Sequence, residues 1–270
     1  MPGNSLFVSR VSQPVLSLVK RVTYVVLILC LGGCVTTMEN PERRVNKQQA
    51  VEANVKLGMS YLQQNNREGA QRSFTKALEM DPKSAEGYLG LAMIHQLNGE
   101  AEEADKKFNK ALRSRVDFSL ASIQFSYARF LVEQKRYEEA YTYFEAASSD
   151  FNYPRRTDAL VNVGRMALLL GNKERAEGAF AHALNLDPRQ AEAALELADM
   201  AFASRDYTKA ARFLAQFDSS ARQNPRSLWL GIRLERIFGN KDKEASYVLA
   251  LKNLYPYSKE YLEYKRLMGQ

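Results

Sequence analysis

The chain has 270 residues, of which 46% are hydrophobic and 26% charged, with 14 glycines and 8 prolines. Ala, Leu, Glu, Lys and Arg dominate, which excludes a disordered or low-complexity chain and favours helix. The net charge of +7 is interspersed and too small to mark a nucleic-acid or phospholipid surface.

Residues 1–33 read as a targeting segment. Arg10, Lys20 and Arg21 form a positive start with no acidic residue, and an apolar run follows from Val22 to Leu31. That run is too short to span a bilayer as a helix, which needs about 20 residues, and it suits the core of a signal peptide. It ends in Leu31-Gly32-Gly33-Cys34, which resembles a bacterial lipobox. The resemblance implies cleavage before Cys34, acylation of that cysteine and, with Val35 rather than Asp after it, sorting to the outer membrane. Processing lowers the net charge to +4 and removes Cys30, leaving Cys34 as the sole cysteine. With that thiol acylated, none remains for a disulfide or a metal. Residues 34–49 follow as the lipidated cysteine and a polar stretch with Pro41 and no apolar period, expected to be a flexible tether.

From residue 51 onward the chain is periodic. Ala70, Ala104, Ala140, Ala176, Ala210 and Ala245 recur at steps of 34 to 36 residues. Four residues after each comes Phe74, Phe108, Phe144, Phe180, Leu214 or Leu249. Three further on come Ala77, Ala111, Ala147 and Ala183, then Phe217 and Lys252. Twelve before each alanine stand Gly58, Ala92, Ala128, Gly164, Ala198 and, breaking the pattern, Arg233. These residues resemble the signature of the tetratricopeptide repeat (TPR), with small residues at positions 8, 20 and 27, an aromatic at 24 and a proline at 32, matched here by Pro82 and Pro188. Small residues let two antiparallel helices approach, and the aromatic fills the space between neighbouring units. One hairpin cannot bury its apolar face alone, so units stack.

The expected fold is therefore all-α: a right-handed TPR superhelix of about six repeats, at 51–84, 85–118, 121–154, 157–190, 191–224 and 226–257. Turns are expected at Asn65-Asn66, Asn98-Gly99, Gly171-Asn172 and Gly239-Asn240, within units. Prolines after Asp81 and Asp187 stop the preceding helix. The two 36-residue steps place short insertions at the second/third and third/fourth junctions, the latter containing Phe151-Asn152-Tyr153-Pro154. Residues 258–270 read as a final helix that caps the last repeat through Tyr261, Tyr264 and Leu267.

No catalytic constellation stands out. His95 and His182 read as packed helix residues, no pair has zinc-ligand spacing, and no glycine-rich phosphate loop is present. We expect a non-enzymatic protein with no cofactor, no metal, no nucleic-acid partner and no small-molecule substrate. Positions 2, 5, 9 and 12 of each first helix line the concave face of such an array. They are Glu52, Val55, Met59 and Leu62 in the first repeat and Glu86, Leu89, Met93 and Gln96 in the second. The third offers Ser122, Phe125, Arg129 and Val132, and the fourth Asp158, Val161, Arg165 and Leu168. Val55, Met59, Leu62, Leu89, Met93 and Phe125 thus form an expected apolar groove for a partner peptide, with paired methionines giving adaptability. Repeats that clamp a C-terminal carboxylate carry Lys and Asn where this chain has Val55 and Met59, which argues against that mode.

The layout from lipobox to final helix resembles one family, the type IV pilus biogenesis/stability lipoproteins (PilF or PilW). NVKLGMSYLQQNNREGAQRSFTKALEMDP is similar to the family's first repeat and FSYARFLVEQKRYEEAYTYFEAA to its third. LWLGIRLERIFGN and LYPYSKEY are similar to its end. The family more often has Asn-Tyr-Gly where this chain has Ser126-Tyr127-Ala128. The resemblance implies a pilotin: a lipid-anchored protein of the outer membrane, facing the periplasm, that binds secretin subunits and promotes their localisation and multimerisation. The alternative is a TPR lipoprotein adaptor for periplasmic cell-wall or outer-membrane assembly machinery.

Overall fold

Thirteen helices and no strand make up residues 41–114 and 119–269, the part of the chain that the computed structural model describes. The expected signal peptide, Cys34 and residues 35–40 lie outside the described residues. Residues 1–47 form one unit, of which the opening of the first helix is described, and residues 48–270 form a second that holds all the repeats.

The helices pair as hairpins. They are α1 (Pro41–Gln63) with α2 (Arg67–Met80), α3 (Ala85–Leu97) with α4 (Ala101–Leu112), and α5 (Leu120–Glu133) with α6 (Tyr137–Ser149). Then come α7 (Arg156–Leu169) with α8 (Lys173–Leu186), α9 (Ala191–Ala203) with α10 (Tyr207–Ser220), and α11 (Pro225–Phe238) with α12 (Lys241–Leu254). A single helix, α13 (Lys259–Leu267), follows. α1 corrects the expected tether: residues 41–49 are helical. Proline is tolerated at a first helical position because its missing N–H would have had no partner there. Asn46, Lys47, Gln48 and Gln49 are exposed, so this stretch carries no apolar period and did not read as helix.

Each hairpin turns on one residue in the left-handed region. These are Asn65, Gly99, Lys135, Gly171, Arg205 and Gly239, at φ between 57° and 80°. Asn and Gly suit that region, whereas Lys135 and Arg205 carry a strain of about 1 kcal/mol there. The backbone closes each turn the same way, as in Asn66 N–H donating to Tyr61 O at 2.8 Å and Asn240 N–H to Glu235 O at 2.9 Å. Side-chain caps start several helices. Asn66, Asn172 and Asp206 accept from the backbone N–H three residues on, and Asn224 with Ser227 forms a reciprocal capping box, each typically contributing about 1 kcal/mol.

The turns also correct the register of the sixth repeat. Ala70, Ala104, Ala140, Ala176 and Ala210 donate their N–H to the residue four before, and the equivalent donor in α12 is Glu244, not Ala245. A one-residue shift rotates a helix by about 100°. It turns Ile232 and Leu251 fully inward and Val248 half inward, while Leu249 is 57% exposed. Arg233, Leu249 and Lys252 are thus not the packing residues that the alanine spacing suggested.

The core runs between the helices of each hairpin and on into the next. Ala70, Ala104, Ala140, Ala176 and Ala210 and the rings of Phe74, Phe108, Phe144 and Phe180 are fully buried. Burying one such ring stabilises by roughly 2 to 3 kcal/mol. On α13, Tyr261 and Tyr264 pack against the buried Leu228, Ile232 and Leu251, and Tyr264 meets Trp229 edge-on at 6.4 Å. Leu267, expected to join them, is 53% exposed, because it lies three residues past Tyr264 on a helix that ends there. No described helix is long and apolar enough to cross a membrane.

Candidate functional site: the concave face

The first helices of the hairpins lie side by side, and their positions 2, 5, 9 and 12 form one continuous face. Over the first three repeats this face opens into a cleft of about 400 Å³. It is lined by Val55, Lys56, Met59, Ser60 and Gln63 of α1, Glu86 and Leu89 of α3, Ser119 at the N-cap of α5, and Ser122 and Ile123 of α5. The surface that it offers is mainly apolar. A volume of this size holds two or three aliphatic side chains.

The six residues expected to form the groove divide into three groups. Val55, Met59 and Leu89 line the cleft. Of these, Val55 and Leu89 are otherwise buried in the cores of the first and second repeats, while Met59 is half-buried and bridges both cores. Leu62 and Met93 are half-buried beside the cleft, packed against those same cores. Phe125 is a core residue and not part of an open groove, at 2% exposure. Its ring meets Phe144 edge-on at 5.4 Å and Tyr153 at 6.0 Å, and the guanidinium of Arg155 covers it at 4.5 Å. The insertion after the third repeat supplies Tyr153 and Arg155, and these close over a side chain that spacing alone would leave facing the groove.

Beyond the third repeat the same face changes from apolar to ionic. Arg165 of α7 pairs with Glu192 at 2.8 Å and with Glu196 at 2.9 Å, both on α9. Arg226 of α11 pairs with the other oxygen of Glu196 at 2.6 Å and also with Asp199. Arg233 reaches Asp199 at 3.7 Å and lies over the rings of Phe202, at 4.3 Å, and Trp229. Burial pushes the Glu196 carboxyl up, but hydrogen bonds from Arg226 and Arg165 outweigh it and hold the group below the usual carboxylate range. Arg165 was legible as a concave residue. Its partners on α9, Glu192 and Glu196, were not, because which acids meet it depends on how the fourth and fifth repeats pack.

Other titratable groups form pairs between elements. His95 is half-buried, and its Nδ1 hydrogen-bonds the Glu100 carboxylate across the α3–α4 turn, which holds that carboxyl below its usual range. His182 is exposed rather than packed, because it sits one position outside the Phe180–Ala183 stripe of α8. On the opposite side of the array, Tyr127 donates to Asp105 at 2.8 Å beside Arg136. Burial first, and then that bond, push the Tyr127 hydroxyl up to about 12. Among the described residues no group of three or more His, Cys, Asp or Glu could hold a metal ion.

Comparison with known proteins agrees with this geometry. The tetratricopeptide repeat family model matches residues 55–118, 127–188 and 164–225. The type IV pilus assembly protein PilF of Pseudomonas aeruginosa is 40% identical over 244 residues, covering 89% of this chain and 96% of that protein. The solved structure of Pseudomonas aeruginosa PilF superposes with a TM-score of 0.75 over 82% of this chain and 99% of that one, at 40% identity. That of PilW, described as a widely conserved type IV pilus biogenesis factor, gives 0.66 at 26% identity over 80% of this chain and 98% of that one.

Proposed function

This chain belongs to the PilF family of type IV pilus assembly proteins, built on a tetratricopeptide superhelix, and from that premise we propose that it is a pilotin for the pilus secretin. In this reading Cys34 carries the lipid that sorts the protein to the periplasmic face of the outer membrane. The concave cleft of the first three repeats holds a segment of a secretin subunit, and the two travel together. Delivery then raises the local concentration of subunits at the membrane and favours their closure into a multimer. The observation that carries the proposal is the open, mainly apolar cleft formed by Val55, Met59 and Leu89 in a chain of a pilus-assembly family.

Cleft and anchor are tested separately. Met59→Asp places a charge in the cleft wall and is expected to cut secretin multimers in outer-membrane fractions severalfold while the helical circular-dichroism signal persists. Unchanged multimers with a folded variant would remove the cleft from the mechanism. Cys34→Ser is expected to leave the cleft intact and strand secretin away from the outer membrane. Normal secretin levels there would remove the anchor.

A further inference from the structure

The concave stripe carries a cation, Arg129, whose charge no group among the described residues answers. Lys56 pairs with Glu52 at 2.6 Å, and Arg165, Arg226 and Arg233 all pair with carboxylates on α9. Arg129, at position 9 of the third repeat, is exposed and, among the described residues, has no hydrogen bond, ion pair or ring contact. The nearest acid on its own helix, Glu133, accepts instead from Gln96 at 2.7 Å. Arg129 lies seven residues after Ser122, which lines the cleft. Seven residues are almost two full turns, so the two share one face of α5, about 10 Å apart.

A second unspent group lies in the cleft itself. The hydroxyl oxygen of Ser119 is buried and, among the described residues, has no hydrogen-bond partner, although Ser119 is part of the lining. Buried hydroxyls are nearly always partnered, so an orphan in a binding cleft points to a group that arrives with the ligand. A peptide backbone supplies both a donor and an acceptor.

We infer that the occupant of the cleft is an acidic–apolar peptide segment. Its apolar side chains fill the space against Met59 and Leu89, its backbone satisfies Ser119, and an Asp or Glu about 10 Å further along pairs with Arg129. This rests on reading the cleft as a protein-docking site and adds the chemistry of what docks. The apolar part supplies affinity, and the exposed ion pair fixes direction and register, because a rim charge contributes more to specificity and association rate than to burial energy.

A phage-displayed random peptide library panned on the full chain tests it. Binders that Met59→Asp abolishes are cleft-dependent, and they are expected to share an Asp or Glu about three residues from an apolar pair. Synthetic versions, titrated by fluorescence anisotropy at low salt, are expected to bind Arg129→Glu about tenfold more weakly, and the loss should shrink at high salt. Replacing the peptide acid by Lys should restore binding to Arg129→Glu. Cleft-dependent binders that share no acid, or that bind Arg129→Glu unchanged, overturn the inference and leave the cleft as a purely apolar site. No cleft-dependent binder at all overturns it together with the docking role of the cleft. The secretin assignment fails separately, through the multimer measurement, and its failure leaves the peptide chemistry standing.

Discussion

Phe74 is held between two glycines on different helices. A Cβ built on Gly90 of α3 would come within 2.3 Å of its ring, and one on Gly58 of α1 within 2.6 Å. The ring is fully buried, so it has no free space to move into. Gly90→Ala therefore sets two effects against each other. Alanine improves helix propensity by about 1 kcal/mol, while overpacking a full core costs about 1 to 3 kcal/mol. We expect the overpacking to win, with a net loss of up to about 2 kcal/mol in chemical denaturation. Gly178 on α8 is the control, since a Cβ there meets nothing within 4 Å. Gly178→Ala should stabilise by up to about 1 kcal/mol. If both substitutions shift stability the same way, close approach is not what Gly90 provides. The contact at Gly58 follows from small residues recurring opposite aromatics, a pattern visible in the sequence, whereas that at Gly90, two residues before the patterned Ala92, was not legible there. The burial of Phe125 was not visible, because it depends on Tyr153 and Arg155 folding back over the ring.

The helices α7, α9 and α11 are tied by ions as well as by packing. Glu196 accepts from two arginines on the flanking helices while largely buried. Removing its charge leaves both guanidiniums short of a partner. For a fully buried pair the loss would be about 3 to 5 kcal/mol, but both arginines are over a third exposed, so we expect about 2 kcal/mol for Glu196→Gln at pH 7. The pH dependence has a definite sign. The folded-state carboxyl is held below its unfolded value, so its contribution is present above the unfolded value of about 4.3 and is lost as pH falls through the folded one. The gap between wild type and variant, followed by thermal unfolding, should be full at pH 6 to 7 and close in acid. A gap that persists or widens in acid would contradict the network. At this scale the sequence placed Arg165 on the concave stripe. It did not show which acids Arg165 would meet, since that depends on how neighbouring repeats pack.

Stacking makes the array a chain of neighbours, each repeat stabilised mainly by the two beside it. The sixth repeat has α13 on its far side in place of a full repeat. Deleting residues 258–270 uncovers the Leu228, Ile232 and Leu251 cluster that Tyr261 and Tyr264 cover. Amide exchange should then rise in α11 and α12 and stay unchanged in α1 to α6. A uniform rise through all repeats would mean that the molecule opens as one unit rather than from its end.

The sequence by itself determined the repeat, its helical hairpins, most turn positions and the concave stripe, because each depends on spacing along one helix and helical geometry is local. The tertiary structure decided what that stripe presents. It buried Phe125, reduced the expected groove to a cleft around Met59, paired the acids of α9 with the arginines of α7 and α11, and left Arg129 without a partner among the described residues. Those outcomes depend on side chains from different repeats meeting in space. A periodic pattern records where each residue points, and only packing records what it finds there.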